Sequence, residues 1–83
     1  MKIPCNIYED KSVFPYLEKR NLVTQYKKAK QYILQGNVGL AQFKERQPKG
    51  YNIWSFRINA QFRAIGSFDE KQDFRVAYID NHQ

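Results

Sequence analysis

Residues 54–66 predict a β-hairpin, and their sequence is Trp54-Ser55-Phe56-Arg57-Ile58-Asn59-Ala60-Gln61-Phe62-Arg63-Ala64-Ile65-Gly66. Side chains along a β-strand point alternately to opposite sides, so Trp54, Phe56 and Ile58 share one side of a first strand. We expect this large apolar side to face the protein interior. If residues 59–61 form a three-residue loop, a second strand pairs with the first and continues the same apolar face. The predicted pairs are Phe62 with Ile58, Ala64 with Phe56, and Gly66 with Trp54.

The same register places two arginines, Arg57 and Arg63, directly opposite each other on the other side of this hairpin. Like charges across a strand pair repel and cost stability unless an anion or an acidic side chain lies between them. The pair is therefore the best candidate for a phosphate-binding site in the sequence. The alternative is that each arginine extends into solvent or pairs with an acid, and the acids considered are Glu45, Asp69 and Asp80.

Around the hairpin, the sequence predicts an α+β fold in a single domain, residues 1–83. Aromatic-rich segments at about 51–59, 62–68 and 74–80 are separated by turn-like residues, which indicates a three-stranded antiparallel meander. Residues 1–10 alternate apolar with polar side chains and contain Pro4. This pattern favours a short strand at the edge of the sheet, or an extended arm.

Two helices are expected between the first strand and the meander, packed on one face of the sheet. Ser12 is a suitable N-cap and Pro15 is tolerated in a first turn, so a short helix is predicted from Ser12 to Arg20. Gly36 can end a second helix in the left-handed conformation. That helix is predicted from apolar residues three or four positions apart, Leu22, Tyr26, Ala29 and Ile33.

The connection from Asn37 to Gly50 is rich in glycine, proline and charge, and we expect it to reach the core at two apolar residues, Leu40 and Phe43. Its charged side chains should then lie near the surface. They are Lys44, Glu45, Arg46 and Lys49.

The chain is strongly basic, because 14 Lys and Arg against 8 Asp and Glu give a formal net charge of +6 and a pI near 9.6. Such a field attracts polyanions, and nucleic acid is the leading partner class. Cys5 is the only cysteine and has no Cys or His at metal-ligand spacing, so neither a metal nor another cofactor is expected. No apolar stretch approaches the ~20 residues that span a bilayer, and no secretory signal is recognisable. We therefore expect a cytoplasmic protein without a membrane partner.

His82 is the only histidine, and imidazole is well suited to proton transfer near neutral pH. Strict alternation from Phe74 would place His82, like Tyr78, on the apolar side of the last strand. A role for His82 beside Arg63 therefore requires the strand to bend, bulge or end before it. RNA cleavage needs no cofactor, because the 2′-hydroxyl can attack the phosphate if the protein supplies a base, positive charge and an acid. The chain contains all three residue types.

Three motifs resemble the RelE/ParE superfamily of bacterial toxins from toxin–antitoxin modules, particularly the ribosome-dependent, RNA-cleaving YoeB, RelE and HigB branches. Trp54-Ser55-Phe56-Arg57-Ile58 resembles the family's aromatic-Ser-x-Arg-Ile strand, and Phe62-Arg63 resembles its aromatic-or-His-Arg pair. Ile79-Asp80-Asn81-His82 resembles the closing motif. The resemblance covers about residues 40–83, and it departs from the family at Asn81 and Gln83, where the RNA-cleaving members commonly have tyrosine.

The resemblance implies a β-α-α-β-β-β fold, with the substrate groove on the sheet face opposite the helices. It also implies a toxin that cleaves mRNA in the ribosomal decoding site, binds ribosomal RNA and is neutralised by a cognate antitoxin. Arg63 would contact the scissile phosphate, Arg57 would support it, and His82 would act as general acid. Glu45 falls near the position of an acidic general base. Further substrate-binding candidates are Lys44, Lys49 and Tyr51.

Two alternatives stay open. A ParE-like inhibitor would bind DNA gyrase through its helices and would need no terminal histidine. A catalytically silent relative would only bind RNA or an antitoxin.

Overall fold

The computed structural model describes residues 2–81, which form two helices and a five-stranded sheet. The elements in chain order are β1 (Ile7–Glu9), α1 (Val13–Lys19), α2 (Val23–Leu34), β2 (Lys44–Glu45), β3 (Trp54–Arg57), β4 (Phe62–Phe68) and β5 (Phe74–Asn81). The strand order is β1-β5-β4-β3-β2. None of the helices in this part of the chain has the length and apolar character that a membrane crossing requires.

The α+β class and both helices are confirmed, but the expected strand count and order are wrong. The sheet has five strands, and it is mixed because β1 pairs with β5 in parallel. β2 is an additional strand of two residues, antiparallel to β3. The two residues of β2 are too few to show an alternating pattern. The pairing of β1 joins Ile7 to Phe74, 67 positions later in the chain, and no local pattern predicts such a contact.

The β3–β4 hairpin has the predicted register. Trp54 lies opposite Gly66, Phe56 opposite Ala64, and Arg57 opposite Arg63. The turn is held by the Asn59 side chain, whose Oδ1 accepts hydrogen bonds from the backbone N–H groups of Gln61 at 2.8 Å and Phe62 at 2.9 Å. An asparagine that binds the backbone two and three residues ahead is a common way to stabilise a turn.

The core lies between the helices and one face of the sheet. Its largest fully buried side chains include Tyr26 of α2, Phe56 of β3 and Phe74 of β5. Phe43 joins this core as predicted, but Leu40 does not: it is 66% exposed, and the neighbouring Ala41 is buried instead. The prediction for Leu40 is wrong because it is Ala41 whose backbone approaches β3, where the Ala41 carbonyl accepts the Arg57 N–H at 2.7 Å.

The helix ends agree with the predicted bounds, but one capping interaction is absent. Ser12 occupies the N-cap position of α1 without a side-chain hydrogen bond, because its backbone is already helical (φ −79°, ψ −13°). Between the helices, Asn21 has a positive φ of 56°. Gly36 has a φ of 87° after α2, as predicted.

A polar cluster joins the first strand to α2. The Tyr26 hydroxyl donates to Glu9 Oε2 at 2.7 Å, and Lys30 Nζ lies 2.8 Å from the same oxygen. Burial, followed by the hydrogen bond and the negative charge of Glu9, raises the pKa of Tyr26 well above its usual value. The cluster therefore keeps Tyr26 protonated inside the core.

β5 contains a bulge that changes which side chains face the core. Gly66 pairs with Val76 whereas Ile65 pairs with Tyr78, so Ala77 is an extra residue in β5. Before the bulge, Phe74 and Val76 are buried; after it, Ile79 is buried and Tyr78 is 54% exposed. The expectation that Tyr78 lies on the apolar side is therefore wrong, because a bulge reverses the alternation of the residues that follow it.

Candidate functional site on the second face of the sheet

The sheet face opposite the helices is called the second face here, and β3, β4 and β5 place polar side chains along it. One row across the strands contains Arg57, Arg63 and Asp80, because Arg57 pairs with Arg63 and Arg63 pairs with Asp80. Residues directly opposite in antiparallel strands have Cβ atoms about 4.5–5.5 Å apart. Two arginines and one aspartate therefore extend from neighbouring positions of the sheet.

Arg63 has an uncompensated donor in this row. Its Nη1 atom is buried, and it donates no hydrogen bond to any of residues 2–81. Buried donors without partners are rare because losing water without a replacement costs free energy. A negatively charged oxygen is the group that best completes a guanidinium, so this atom indicates an anion-binding position.

A second row, next to the first, contains Lys44, Ser55, Ile65 and Tyr78. Ser55 is fully buried, and its Oγ also has no hydrogen-bond partner within the described chain. Lys44 and Tyr78 are exposed at the two ends of the row. The row thus adds a cation, a hydroxyl and an aromatic ring beside the arginine pair.

The three acids considered as partners for the arginines lie in different places. Asp80 is opposite Arg63. Asp69 stabilises the β4–β5 turn, where its Oδ1 accepts the backbone N–H groups of Lys71 and Asp73. Of these two acids, Asp80 is the one beside the arginine pair.

Glu45 is not brought together with the arginine pair by the register of β2. It pairs with Trp54, whose ring packs on the core side against Phe43 and Phe68, so alternation directs Glu45 to that side of the sheet. Its Oε2 accepts the backbone N–H of Gly50 at 2.9 Å. Glu45 does border the cleft beside Arg63, but its carboxylate is already engaged by Gly50.

That cleft lies between β2, the residues that follow it, and β4. Arg63 borders it together with Lys44, Glu45, Arg46 and Gln47, so three of these five side chains are cationic and one is acidic. Lys49 and Tyr51 are exposed on the loop between β2 and β3, and they are not among the residues that border the cleft. The structure therefore brings Lys44 to the arginine pair but not Lys49 or Tyr51.

The structure also identifies second-face residues that the sequence interpretation did not assign to the site. Asp80 was considered only as one possible ion-pair partner, and Tyr78 was expected in the core. Arg75 lies opposite Ser67 on β4 and Tyr8 on β1, with its guanidinium carbon 5.8 Å from the Tyr8 ring centre. The placement of Tyr78 and Asp80 depends on the bulge, which leaves no local signal in the sequence of β5. His82, the expected general acid, lies outside the described residues.

Comparison with known proteins identifies the fold by structure. No family model matches the chain, and no curated protein matches it significantly in sequence. Among solved structures, the YoeB–YefM complex from Staphylococcus aureus superposes with a TM-score of 0.67 at 18% identity, covering 94% of this chain and 97% of that chain. The YoeB dimer from the same organism gives a TM-score of 0.68 at 18% identity with the same coverage.

A second toxin–antitoxin pair has the same architecture. The DinJ–YafQ toxin–antitoxin complex from E. coli superposes with a TM-score of 0.68 at 10% identity, covering 93% of this chain and 91% of that chain. These matches extend over nearly the whole chain, and they agree with the fold that the RelE/ParE resemblance implies. The protein described here therefore has the fold of the YoeB and YafQ toxins.

Proposed function

We propose that this protein is the toxin of a toxin–antitoxin module and cleaves messenger RNA on the ribosome. The observation that carries the proposal is the row of Arg57 and Arg63 on the second face, with Nη1 of Arg63 buried and lacking a partner among the described residues. The shared fold with YoeB and YafQ supports it, as does the net charge of +6. Ribosomal RNA is the polyanion that this charge would engage.

Arg63 would bind the scissile phosphate, and Arg57 would support the same group. The opposed side chains are close enough for both guanidinium groups to reach one phosphate, since each extends several ångströms from its strand. In the transition state the phosphate oxygens gain negative charge, and fixed cationic donors stabilise that charge more than the charge of the ground state. Lys44 would add a third cation at the side of the cleft.

Cleavage would proceed by attack of the neighbouring 2′-hydroxyl on phosphorus. A base removes the hydroxyl proton, the bond to the 5′-oxygen breaks, and an acid protonates that oxygen, leaving a cyclic phosphate and a 5′-hydroxyl. We assign the acid to His82. The assignment rests on the resemblance of Ile79-Asp80-Asn81-His82 to the closing motif of the RNA-cleaving toxins, and Asp80 of this motif lies opposite Arg63.

We assign the base to a carboxylate. Asp80 is the stronger candidate because it lies directly opposite Arg63, whereas Glu45 pairs with Trp54 on the core side of the sheet. Tyr78 is exposed in the adjacent row. Its ring is available to stack on a nucleobase of the substrate, in place of the terminal tyrosine of the RNA-cleaving relatives. Neither proton abstraction by a carboxylate nor the contact with Tyr78 requires a metal ion or another cofactor.

A protein antitoxin is the proposed partner, since the solved structures that share the fold include toxin–antitoxin complexes. An antitoxin that neutralises cleavage would cover the second face and place acidic or polar groups over the arginine row. Lys44, Arg57, Arg63 and Arg75 supply the complementary positive charge there.

The test is to map transcript 5′ ends after brief expression, with and without an inhibitor that prevents ribosomes from loading on messages. We expect codon-phased cuts that disappear when loading is blocked. Arg63→Ala and His82→Ala should each remove the cuts, whereas Lys27→Ala, a matched loss of charge on α2, should leave them. Circular dichroism should show that all three variants fold.

Retained cutting in both the Arg63→Ala and His82→Ala variants would reject the site. Growth arrest without any cuts, accompanied by loss of DNA supercoiling in a gyrase assay, would instead establish the gyrase-inhibitor alternative.

A further inference from the structure

A second cleft lies on the helix side of the β3 edge. It is bordered by α2, by the connection that follows α2, and by the end of β3. From α2 come Gln25, Lys28 and Tyr32, at positions that project from one side of the helix. Leu40 and Arg57 complete the opposite wall. Of the residues that border this cleft, only Arg57 has a role in the proposed cleavage chemistry.

Charge at this cleft has one sign. Lys28 and Arg57 both border it, and none of the described residues that border it is acidic. Two cations without a neighbouring carboxylate attract an anion, and an arginine–lysine pair suits a phosphate in particular. The charge therefore points to a phosphorylated ligand.

An aromatic ring and an exposed apolar side chain accompany the two cations. Tyr32 is half-buried, with its ring centre 5.9 Å from Lys28 Nζ, and Leu40 is 66% exposed at the rim. Inorganic phosphate would use neither group. A nucleotide would use both, because a base has two apolar faces that stack on an aromatic ring or pack against an aliphatic side chain.

One amide is also placed to contact a base edge. Gln25 borders the cleft, and its Oε1 accepts a hydrogen bond from Asn59 Nδ2 at 2.9 Å, so the amino group is the part of this amide that a base would contact. The other amide atom of Asn59, Oδ1, accepts hydrogen bonds from the backbone of the β3–β4 turn. Gln25 therefore adds a possible hydrogen-bond donor at the border of the cleft.

We propose that this cleft is a second nucleotide-binding site, in which Lys28 and Arg57 bind a phosphate and Tyr32 and Leu40 contact the base. Its connection with the first site rests on the proposed RNA-cleaving function, because Arg57 belongs to both. A single-stranded RNA held at the Arg57–Arg63 row would pass around the end of β3 and place a neighbouring nucleotide in this cleft. The cleft would then extend RNA contact beyond the bond that is cut.

The decisive comparison uses two adjacent lysines. Lys27 and Lys28 are both exposed on α2, but Lys27 borders a different surface, with Gln31 and Leu34. Lys28→Glu and Lys27→Glu change the net charge equally, so a difference between them reports the cleft and not the overall field. Binding is measured by NMR with AMP and, separately, with inorganic phosphate, neither of which can be cleaved by 2′-hydroxyl attack.

We expect AMP to shift the resonances of the Tyr32 ring and the Leu40 methyl groups, whereas phosphate at the same concentration should not. Lys28→Glu should weaken AMP binding about tenfold or more, as for the loss of a charge-assisted hydrogen bond. Lys27→Glu should change it by no more than about twofold, because an exposed charge outside the site is screened by salt. Tyr32→Leu should also weaken AMP binding, measured by the Leu40 methyl groups, because the ring that contacts the base is lost.

Equal weakening by both lysine variants would overturn the proposal, because binding would then reflect general attraction to a basic surface. The same resonances moving with an acidic peptide but not with AMP would also overturn it and would assign the cleft to a protein partner. These outcomes are independent of cleavage. If mRNA is not cut but AMP binds as described, the second site stands and the proposed function fails.

Discussion

Gly66→Ala should destabilise the protein strongly, because the position has no room for a methyl group. A Cβ atom built on Gly66 would lie 2.1 Å from the carbonyl oxygen of Arg75 and 2.9 Å from Cζ of Phe74. Ordinary contacts between carbon atoms are about 3.5–4.0 Å, so β5 would have to move by roughly 1 Å at the bulge. The obstacle is backbone, and it cannot be relieved by rotating a side chain.

The loss of stability in Gly66→Ala can be estimated from general values for core substitutions. Overpacking a core usually costs about 1–3 kcal/mol, and a displacement of paired backbone belongs at the upper end of that range. We therefore expect a loss of about 3 kcal/mol in the free energy of unfolding. For a domain of this size, that loss lowers the melting temperature by roughly 12–24 °C.

The measurement is urea unfolding followed by circular dichroism, with Gly39→Ala as the matched control. A Cβ on Gly39 meets nothing within 4 Å and its φ is not in the left-handed range, so the same substitution there should be neutral or slightly stabilising. If the two alanine variants unfold at urea midpoints that correspond to less than about 1 kcal/mol of difference, the close approach at the bulge does not constrain the fold and the reasoning is wrong.

Three further outcomes are expected. Tyr26→Phe removes the hydrogen bond to Glu9 and should cost about 1–2 kcal/mol in urea unfolding. Because the folded pKa of Tyr26 is raised, the unfolded state releases its proton first, so wild-type stability should fall as pH rises above about 10, and this loss should be absent in Tyr26→Phe. Asn59→Ala removes two hydrogen bonds to the β3–β4 turn and should cost about 1–2 kcal/mol, whereas an equal midpoint for Asn59→Ala and wild type would show that the turn forms without them. In translation-dependent cleavage, Asp80→Asn should reduce the rate by about 100-fold or more and Glu45→Gln by much less; the reverse order would transfer the base to Glu45.

The sequence predicts local features of this fold well. The register of the β3–β4 hairpin follows from the alternation of Trp54 and Phe56 and from the length of the turn, and both are properties of neighbouring residues. The helices follow from apolar spacing and from Gly36 in the same way. The pairing of Arg57 with Arg63 depends only on this hairpin, and this is why the centre of the candidate site could be located before the structure.

Features that depend on distant contacts could not be predicted. Nothing near β1 indicates that it pairs in parallel with β5. The bulge arises where Gly66 pairs with β5, so alternation within β5 alone predicts the wrong side of the sheet for Tyr78. Side-chain size favours Leu40 as the buried residue, although the neighbouring Ala41 is the residue that packs behind β3. Glu45 occupies a strand of two residues, which is too short for its side of the sheet to be read from alternation.

The position of β5 within the sheet has a consequence for synthesis. β5 lies between β1 and β4, so the first strand of the chain has no neighbour until the last strand has been made. During translation, β1, the helices and the β3–β4 hairpin leave the ribosome before the strand that unites them. Asp80, which completes the charged row, belongs to that final strand. A growing polypeptide therefore cannot assemble this row until β5 has left the ribosome.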